Sequence, residues 1–90
     1  MLSMGYDQFC SENIKIINQM GLDYNKCNDS TYFFRAGSNN TGECFIQLTN
    51  KKSIDFSNLN CYIKEYKFPK DNIENVIRLA DDMNNNLRGK

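Results

Sequence analysis

The chain has 90 residues, eleven of them basic and eleven acidic, so it carries no net charge at neutral pH. This length predicts one domain over residues 1–90 with a thin core, and the charge balance disfavours binding to nucleic acid or anionic membranes by bulk electrostatics. No apolar run approaches the ~20 residues of a membrane span, and the first residues lack the pattern of a secretory signal. We therefore expect a cytoplasmic protein with no membrane partner.

Helical spacing of apolar residues predicts the first helix over residues 7–20. Phe9 and Met20 share one apolar arc with four further side chains, and polar residues cover the remaining circumference, apart from Asn13 inside the arc. Gly21 is predicted to end the helix, because glycine readily adopts the left-handed conformation that follows a last helical turn.

Aromatic and β-branched residues predict three strands, over residues 31–36, 43–49 and 60–68. The short loop at 37–42 makes the first two strands an antiparallel hairpin. A second loop is predicted at 50–58, from which Ile54 and Phe56 could dock on the core or extend a strand.

Pro69 ends the third strand, because proline cannot donate to a strand ladder. A second helix is predicted over residues 71–87, with Asp71 and Glu74 forming a capping box at its start. The element order is therefore α-β-β-β-α. We expect an α+β domain in which two helices pack on one face of a three-stranded antiparallel sheet.

The sequence shows no catalytic constellation. It contains no histidine, so the usual base near neutral pH and the Ser–His and Cys–His nucleophile pairs are missing. Asp81 and Asp82 are adjacent, but neighbours on a helix point about 100° apart, so both are predicted to lie on a solvated face. We predict that the protein is not an enzyme and needs no cofactor.

The four cysteines, Cys10, Cys27, Cys44 and Cys61, recur every 17 residues, but the segments around them do not align as repeats. No two of them have the close spacing of a zinc knuckle, so no metal site is predicted. An even count permits two disulfides, although a cytoplasmic location disfavours them. We expect free thiols that pack as small apolar groups, with Cys27 the most exposed.

Alternation along the strands predicts a sheet face that no helix covers. If Phe34, Ile46 and Ile63 point toward the helices, the opposite face carries four aromatic residues, two cations and one amide. These candidate partner-binding residues are Phe33, Arg35, Phe45, Gln47, Tyr62, Lys64 and Tyr66. An exposed aromatic patch is typical of an interaction site. Two alternatives stay open: the face assignment is inverted, or the loop at 50–58 covers this face.

The leading hypothesis is a small non-enzymatic protein-binding module. Its size and composition suit an inhibitor, immunity or adaptor protein of a phage or mobile element that blocks a host protein. The alternative is single-stranded nucleic-acid binding, in which the same aromatic residues stack on bases while Arg35 and Lys64 meet phosphates. A homodimer through the aromatic face is a third hypothesis.

Overall fold

Three helices and one sheet form the part of the chain that the computed structural model describes, residues 4–27, 30–69 and 71–88. In chain order they are α1 (Tyr6–Glu12), α2 (Ile14–Asn25), β1 (Tyr32–Ser38), β2 (Cys44–Asn50), β3 (Lys64–Phe68) and α3 (Ile73–Arg88). The strands are antiparallel in the order β1-β2-β3, which confirms the predicted α+β class and its sheet. None of these helices is long and apolar enough to cross a membrane.

The predicted first helix is divided in two at Asn13, so the prediction of one helix over 7–20 is wrong. Asn13 leaves the helical conformation, with φ −113° and ψ 22°, and its Nδ2 donates to the carbonyl oxygen of Phe9 at 2.9 Å. A short amide side chain competes in this way with the backbone hydrogen bonds that would continue a helix.

Gly21 does not end the second helix, contrary to the prediction, because α2 continues for another turn. Glycine inside a helix costs about 1 kcal/mol relative to alanine. The extra turn brings the Tyr24 ring centroid to 5.8 Å from that of Phe34 and places Asp23 beside the hydroxyl of Tyr66. Contacts of this turn with the sheet therefore offset the low helix propensity of glycine.

Helix α3 is capped by Asn72 rather than by Asp71. The Asn72 Oδ1 accepts a hydrogen bond from the Glu74 N–H at 2.8 Å, so the predicted Asp71–Glu74 capping box is wrong by one residue. Asp71 instead offers its backbone carbonyl oxygen to the Cys44 thiol at 3.4 Å, which ties the segment before α3 to the start of β2.

The core lies between the helices and one face of the sheet. Phe9 of α1, Met20 of α2, Phe68 of β3 and Val76 of α3 are completely buried, and burial of each such side chain stabilises the fold by about 1.5–3 kcal/mol. The ring centroids of Phe9 and Phe68 are 5.6 Å apart, which joins α1 to β3. Because all three of these helices contribute to one core, they lie on the same side of the sheet.

A side chain of α3 closes the outer edge of β1. The Asn84 Oδ1 accepts a hydrogen bond from the Phe34 N–H, and the Asn84 Nδ2 donates to the Phe34 carbonyl oxygen, each at 2.8 Å. The amide thus makes the two hydrogen bonds that a neighbouring strand would make here. An unpaired edge strand is a template for association, so Asn84 blocks strand addition at this point.

Replacing Asn84 with alanine is expected to lower the free energy of unfolding by about 1–3 kcal/mol, because the Phe34 N–H and C=O lose their partners. Asn84→Asp should recover only part of the loss, since a carboxylate accepts from the N–H but repels the carbonyl oxygen. Urea denaturation would measure both, with Asn85→Ala as the control, because Asn85 is exposed on the same helix. Equal losses in the two alanine variants would contradict the role of Asn84.

Candidate protein-interaction surface

The seven residues predicted as partner-binding do not form one exposed surface. The four on β1 and β2 lie on the sheet face away from the helices, which we term the outer face. The two on β3 lie on the helix side. Tyr62 precedes β3 and is 44% exposed.

The predicted face assignment of the third strand is wrong. Tyr66 pairs with Ile46 of β2, and its hydroxyl donates to the Asp23 carboxylate of α2 at 2.7 Å. The Nζ of Lys64 lies 3.0 Å from the same carboxylate, so Lys64 also faces the helices. The strand begins at Lys64, four residues later than predicted, so Tyr62 takes no part in its alternation.

Arg35 holds a loop over the outer face. This loop, residues 51–63, joins β2 to β3 and is termed the covering loop. The Arg35 Nη2 donates to the carbonyl oxygens of Asn58 at 2.9 Å and Cys61 at 2.8 Å, and its Nη1 donates to that of Phe56. A planar guanidinium with five N–H groups is suited to hold several carbonyls at once. Of the two alternatives that the sequence left open, the second therefore applies to β1 and β2, because a loop covers their outer face. The first applies to β3, whose predicted face is inverted.

Two buried polar side chains of β2 complete the attachment. Gln47 is 1% exposed; its Oε1 accepts from the Arg35 Nε at 2.9 Å, and its Nε2 donates to the Leu59 carbonyl oxygen at 2.8 Å. The Thr49 hydroxyl donates to the Cys61 carbonyl oxygen at 3.2 Å. Buried polar groups of the sheet are thus satisfied by the backbone of the covering loop.

Successive turns satisfy the backbone of the covering loop itself. Four N–H groups donate to the carbonyl oxygen three residues earlier, at 2.9–3.2 Å: those of Ser53, Phe56, Asn58 and Cys61. The side chains of Asn50 and Asn58 accept from the N–H two residues later, at 2.8 and 2.9 Å. Such side-chain turns are a known use of asparagine, and here they give the loop a defined shape.

The covering loop turns its apolar side chains to solvent. Of the eight large apolar side chains that are exposed in the described part of the chain, five belong to it: Ile54, Phe56, Leu59, Tyr62 and Ile63. Ile54 is 95% exposed, whereas Phe56 keeps an edge-on contact with Phe33 at 6.5 Å between ring centroids. Concentration of exposed apolar side chains on one loop is typical of an interaction surface.

The aromatic residues predicted to stack on bases are not exposed together. Phe45 is 8% exposed on the outer face, where its ring lies so close to Gly37 that a Cβ there would come within 2.8 Å of ring atoms. Tyr66 is 6% exposed on the opposite face. Single-stranded nucleic acid needs several accessible rings along one groove, and these two rings do not provide them.

A groove lies at the end of the sheet where β1 and β3 begin and β2 ends. It has a volume of about 570 Å³, and the residues lining it are Asp23, Lys26, Cys27, Tyr32, Leu48, Ile63 and Lys64. Leu48, at 1% exposure, forms the apolar base. Since Ile63 also belongs to the covering loop, the groove and the apolar surface of that loop are continuous.

Asp23 at the rim of the groove is held ionised. Its carboxylate accepts hydrogen bonds from the Tyr66 hydroxyl and, at 2.9 Å, from the Gln19 amide, and it is paired with Lys64. Burial raises the pKa of the Asp23 carboxyl, but these three donors favour the carboxylate more strongly and bring the pKa down to about 2. Burial and the hydrogen bond to Asp23 raise the pKa of Tyr66 above its ordinary value.

The free energy of unfolding is therefore expected to fall in acid as Asp23 is protonated. Its folded pKa of about 2 lies below the ordinary value of about 3.9, so its contribution is complete above about pH 4 and is lost as the pH falls through 2. Asp23→Asn should remove this contribution and lower the free energy of unfolding at pH 7 by about 1–3 kcal/mol. Urea denaturation between pH 7 and pH 2 would measure both effects.

The matched control is Asp81→Asn, because Asp81 is exposed on α3. It should keep the acid dependence of the unchanged protein. If Asp23→Asn and Asp81→Asn lose stability in acid equally, the carboxylate of Asp23 is not the group responsible.

All four cysteines carry free thiols. Cys44 is buried and the others are half-buried, and the Cys27 thiol in the wall of the groove lies 3.6 Å from the Asp23 carbonyl oxygen. Within residues 4–27, 30–69 and 71–88, no group of three or more cysteine and carboxylate side chains is arranged to hold a metal ion.

No protein-family model matches the chain, and comparison with curated proteins and with solved structures found no match.

Proposed function

We propose that the protein is a small non-enzymatic protein-binding module that engages a protein partner through the apolar side chains of the covering loop. The observation that carries this proposal is the concentration of exposed apolar side chains on a loop that the sheet holds in place. Exposing such side chains to water is unfavourable, and a partner that covers them gains their burial.

The attachment of the loop supports the same function. Side-chain donors of the sheet bond backbone carbonyl oxygens of the covering loop: those of Arg35, Gln47 and Thr49. A loop that is already ordered loses little conformational freedom when a partner binds, so more of the contact energy appears as affinity. Binding residues in proteins often lie on loops that a rigid scaffold holds in position, and the sheet holds the covering loop in this way.

Affinity purification from lysate of the source cells tests the proposal when it compares two variants. Ile54→Ser/Leu59→Ser removes two exposed apolar side chains of the covering loop. The matched control, Ile14→Ser/Leu22→Ser, removes two from α2, where Ile14 and Leu22 are 50% and 57% exposed. One stoichiometric protein should be retained by the unchanged chain and by the control, and its affinity for the loop variant should fall about tenfold or more.

Two results would contradict the proposal. Equal retention of the partner by both variants would mean that the covering loop is not the binding surface. Loss of all bound protein on nuclease treatment would instead support the nucleic-acid hypothesis.

Light scattering of the purified chain would identify the case in which the partner is a second copy. The narrower hypothesis, an inhibitor, immunity or adaptor protein of a phage or mobile element, stays a prediction that the identity of the partner would decide.

A further inference from the structure

We propose that the groove at the end of the sheet receives an acidic segment of the protein partner, with an apolar side chain of that segment on Leu48 and an adjacent carboxylate at Lys26 and Lys64. This inference rests on the proposed function and adds the chemistry of the partner. It is carried by the charges that line the groove and by the continuity of the groove with the covering loop through Ile63.

The base of the groove suits an apolar side chain. Leu48, Tyr32, Ile63 and Cys27 form its apolar surface. Burial raises the pKa of the Cys27 thiol, and the charge of Asp23 raises it further, so the thiol stays neutral near pH 7. A volume of about 570 Å³ lies within the ~300–1,000 Å³ typical of sites that accept a ligand group.

The rim of the groove favours a carboxylate over an ammonium group. Asp23 is its acidic member among the described residues, and both carboxylate oxygens are already used by Tyr66, Gln19 and Lys64. Lys26 makes no ion pair with any residue that the structure describes. An incoming carboxylate therefore meets two ammonium groups with hydrogen-bond donors to spare. An incoming ammonium meets the same two positive charges and a single carboxylate, that of Asp23, which is already paired with Lys64.

Disulfide trapping at Cys27 tests this preference without knowledge of the partner. In a Cys10→Ser/Cys61→Ser variant, Cys27 is the half-buried thiol that remains, together with the buried Cys44. This variant is equilibrated with three disulfide probes that share a phenyl ring and differ in one group: a carboxylate, a carboxamide or an ammonium. Intact mass spectrometry under graded reductant measures how firmly each probe is held. If the variant does not fold, peptide mapping of the unchanged chain reads capture at Cys27.

At low salt we expect the equilibrium constant for capture of the carboxylate probe to be about fivefold or more above that of the ammonium probe. The difference should shrink at high salt. Lys26→Gln should reduce this preference, and Lys15→Gln, which changes a lysine outside the groove, should not. Equal capture of the three probes, or capture that ignores Lys26, would overturn the proposal. It would leave the covering loop as the binding surface, because that surface is tested separately.

A second measurement distinguishes a partner segment from a free small acid. In the affinity purification, Lys26→Glu should weaken retention of the partner and Lys15→Glu should not. If the probes prefer a carboxylate but Lys26→Glu retains the partner fully, the groove binds small acids, and the proposal of a partner segment is wrong.

Discussion

Replacing Arg35 with methionine is expected to release the covering loop and lower the free energy of unfolding by about 2–4 kcal/mol. The change removes the donors to the carbonyl oxygens of Phe56, Asn58 and Cys61 and leaves the buried Gln47 Oε1 without its Arg35 partner. Methionine keeps much of the length of the arginine side chain, so the loss reports the hydrogen bonds more than the packing.

Two measurements follow this effect. Urea denaturation gives the change in free energy, and amide hydrogen exchange gives the local effect, because the N–H groups of Phe56, Asn58 and Cys61 are bonded inside the loop. Their exchange should rise more than that of residues in β2. Arg35→Lys should have a free energy of unfolding between those of the unchanged protein and Arg35→Met, since one ammonium group cannot replace all the N–H donors of a planar guanidinium.

The matched control is Arg78→Met. Arg78 lies on α3 with 64% of its side chain exposed, where it stacks on the Tyr6 ring and is 3.9 Å from Asp82. Its replacement should lower the free energy of unfolding by less than about 1 kcal/mol. If Arg35→Met stays within that range and the exchange of the loop is unchanged, Arg35 does not hold the covering loop.

Apart from the division of the first helix into α1 and α2, the order of elements could be predicted from the sequence, because it depends on local patterns. Helical spacing identified α3, and the aromatic and β-branched runs identified the hairpin of β1 and β2. The break at Asn13 and the extra turn after Gly21 could not be predicted in the same way. The first depends on one side-chain hydrogen bond to Phe9, and the second on contacts of Tyr24 with the sheet.

The side of the sheet on which each β3 residue lies, by contrast, can be predicted from the sequence. Glu65 and Lys67 alternate with Tyr66 and Phe68, which places the two aromatic residues on one face and the charges on the other. A strand that begins at residue 60 has the wrong alternation, because it counts Ile63 as a helix-side position although Ile63 lies in the covering loop.

The candidate surface was harder to predict than the fold, for a physical reason. Strand alternation predicts that Arg35 and Gln47 lie on the outer face. Their partners, however, include backbone carbonyl oxygens, which every residue possesses. No pattern of side chains in the sequence predicts contacts with backbone carbonyl oxygens. Ile54 and Phe56 are apolar residues in a predicted loop, and a loop has no alternation that would predict whether such side chains pack inward or face water.

Tyr66→Ala is expected to lower the free energy of unfolding by about 3–5 kcal/mol, whereas Tyr62→Ala should lower it by less than about 1 kcal/mol. Tyr66 is 6% exposed, packs edge-on against Phe34 at 6.2 Å between ring centroids and donates to Asp23. Tyr62 is 44% exposed in the covering loop. The pair compares two tyrosines that the sequence placed on the same face.

The affinity for the proposed partner should depend on Tyr62 more than on Tyr66, which is the reverse of their expected effects on stability. Tyr62→Ala should weaken binding of the partner while the chain stays folded, because Tyr62 belongs to the exposed apolar surface of the covering loop. Tyr66→Phe, which keeps the ring and removes the hydroxyl, should lose about 1–2 kcal/mol of stability and lose less affinity than Tyr62→Ala. If Tyr66→Ala remained as stable as Tyr62→Ala, β3 would face the other way, and Asp23 and the groove beside it would lose the partner that fixes their geometry.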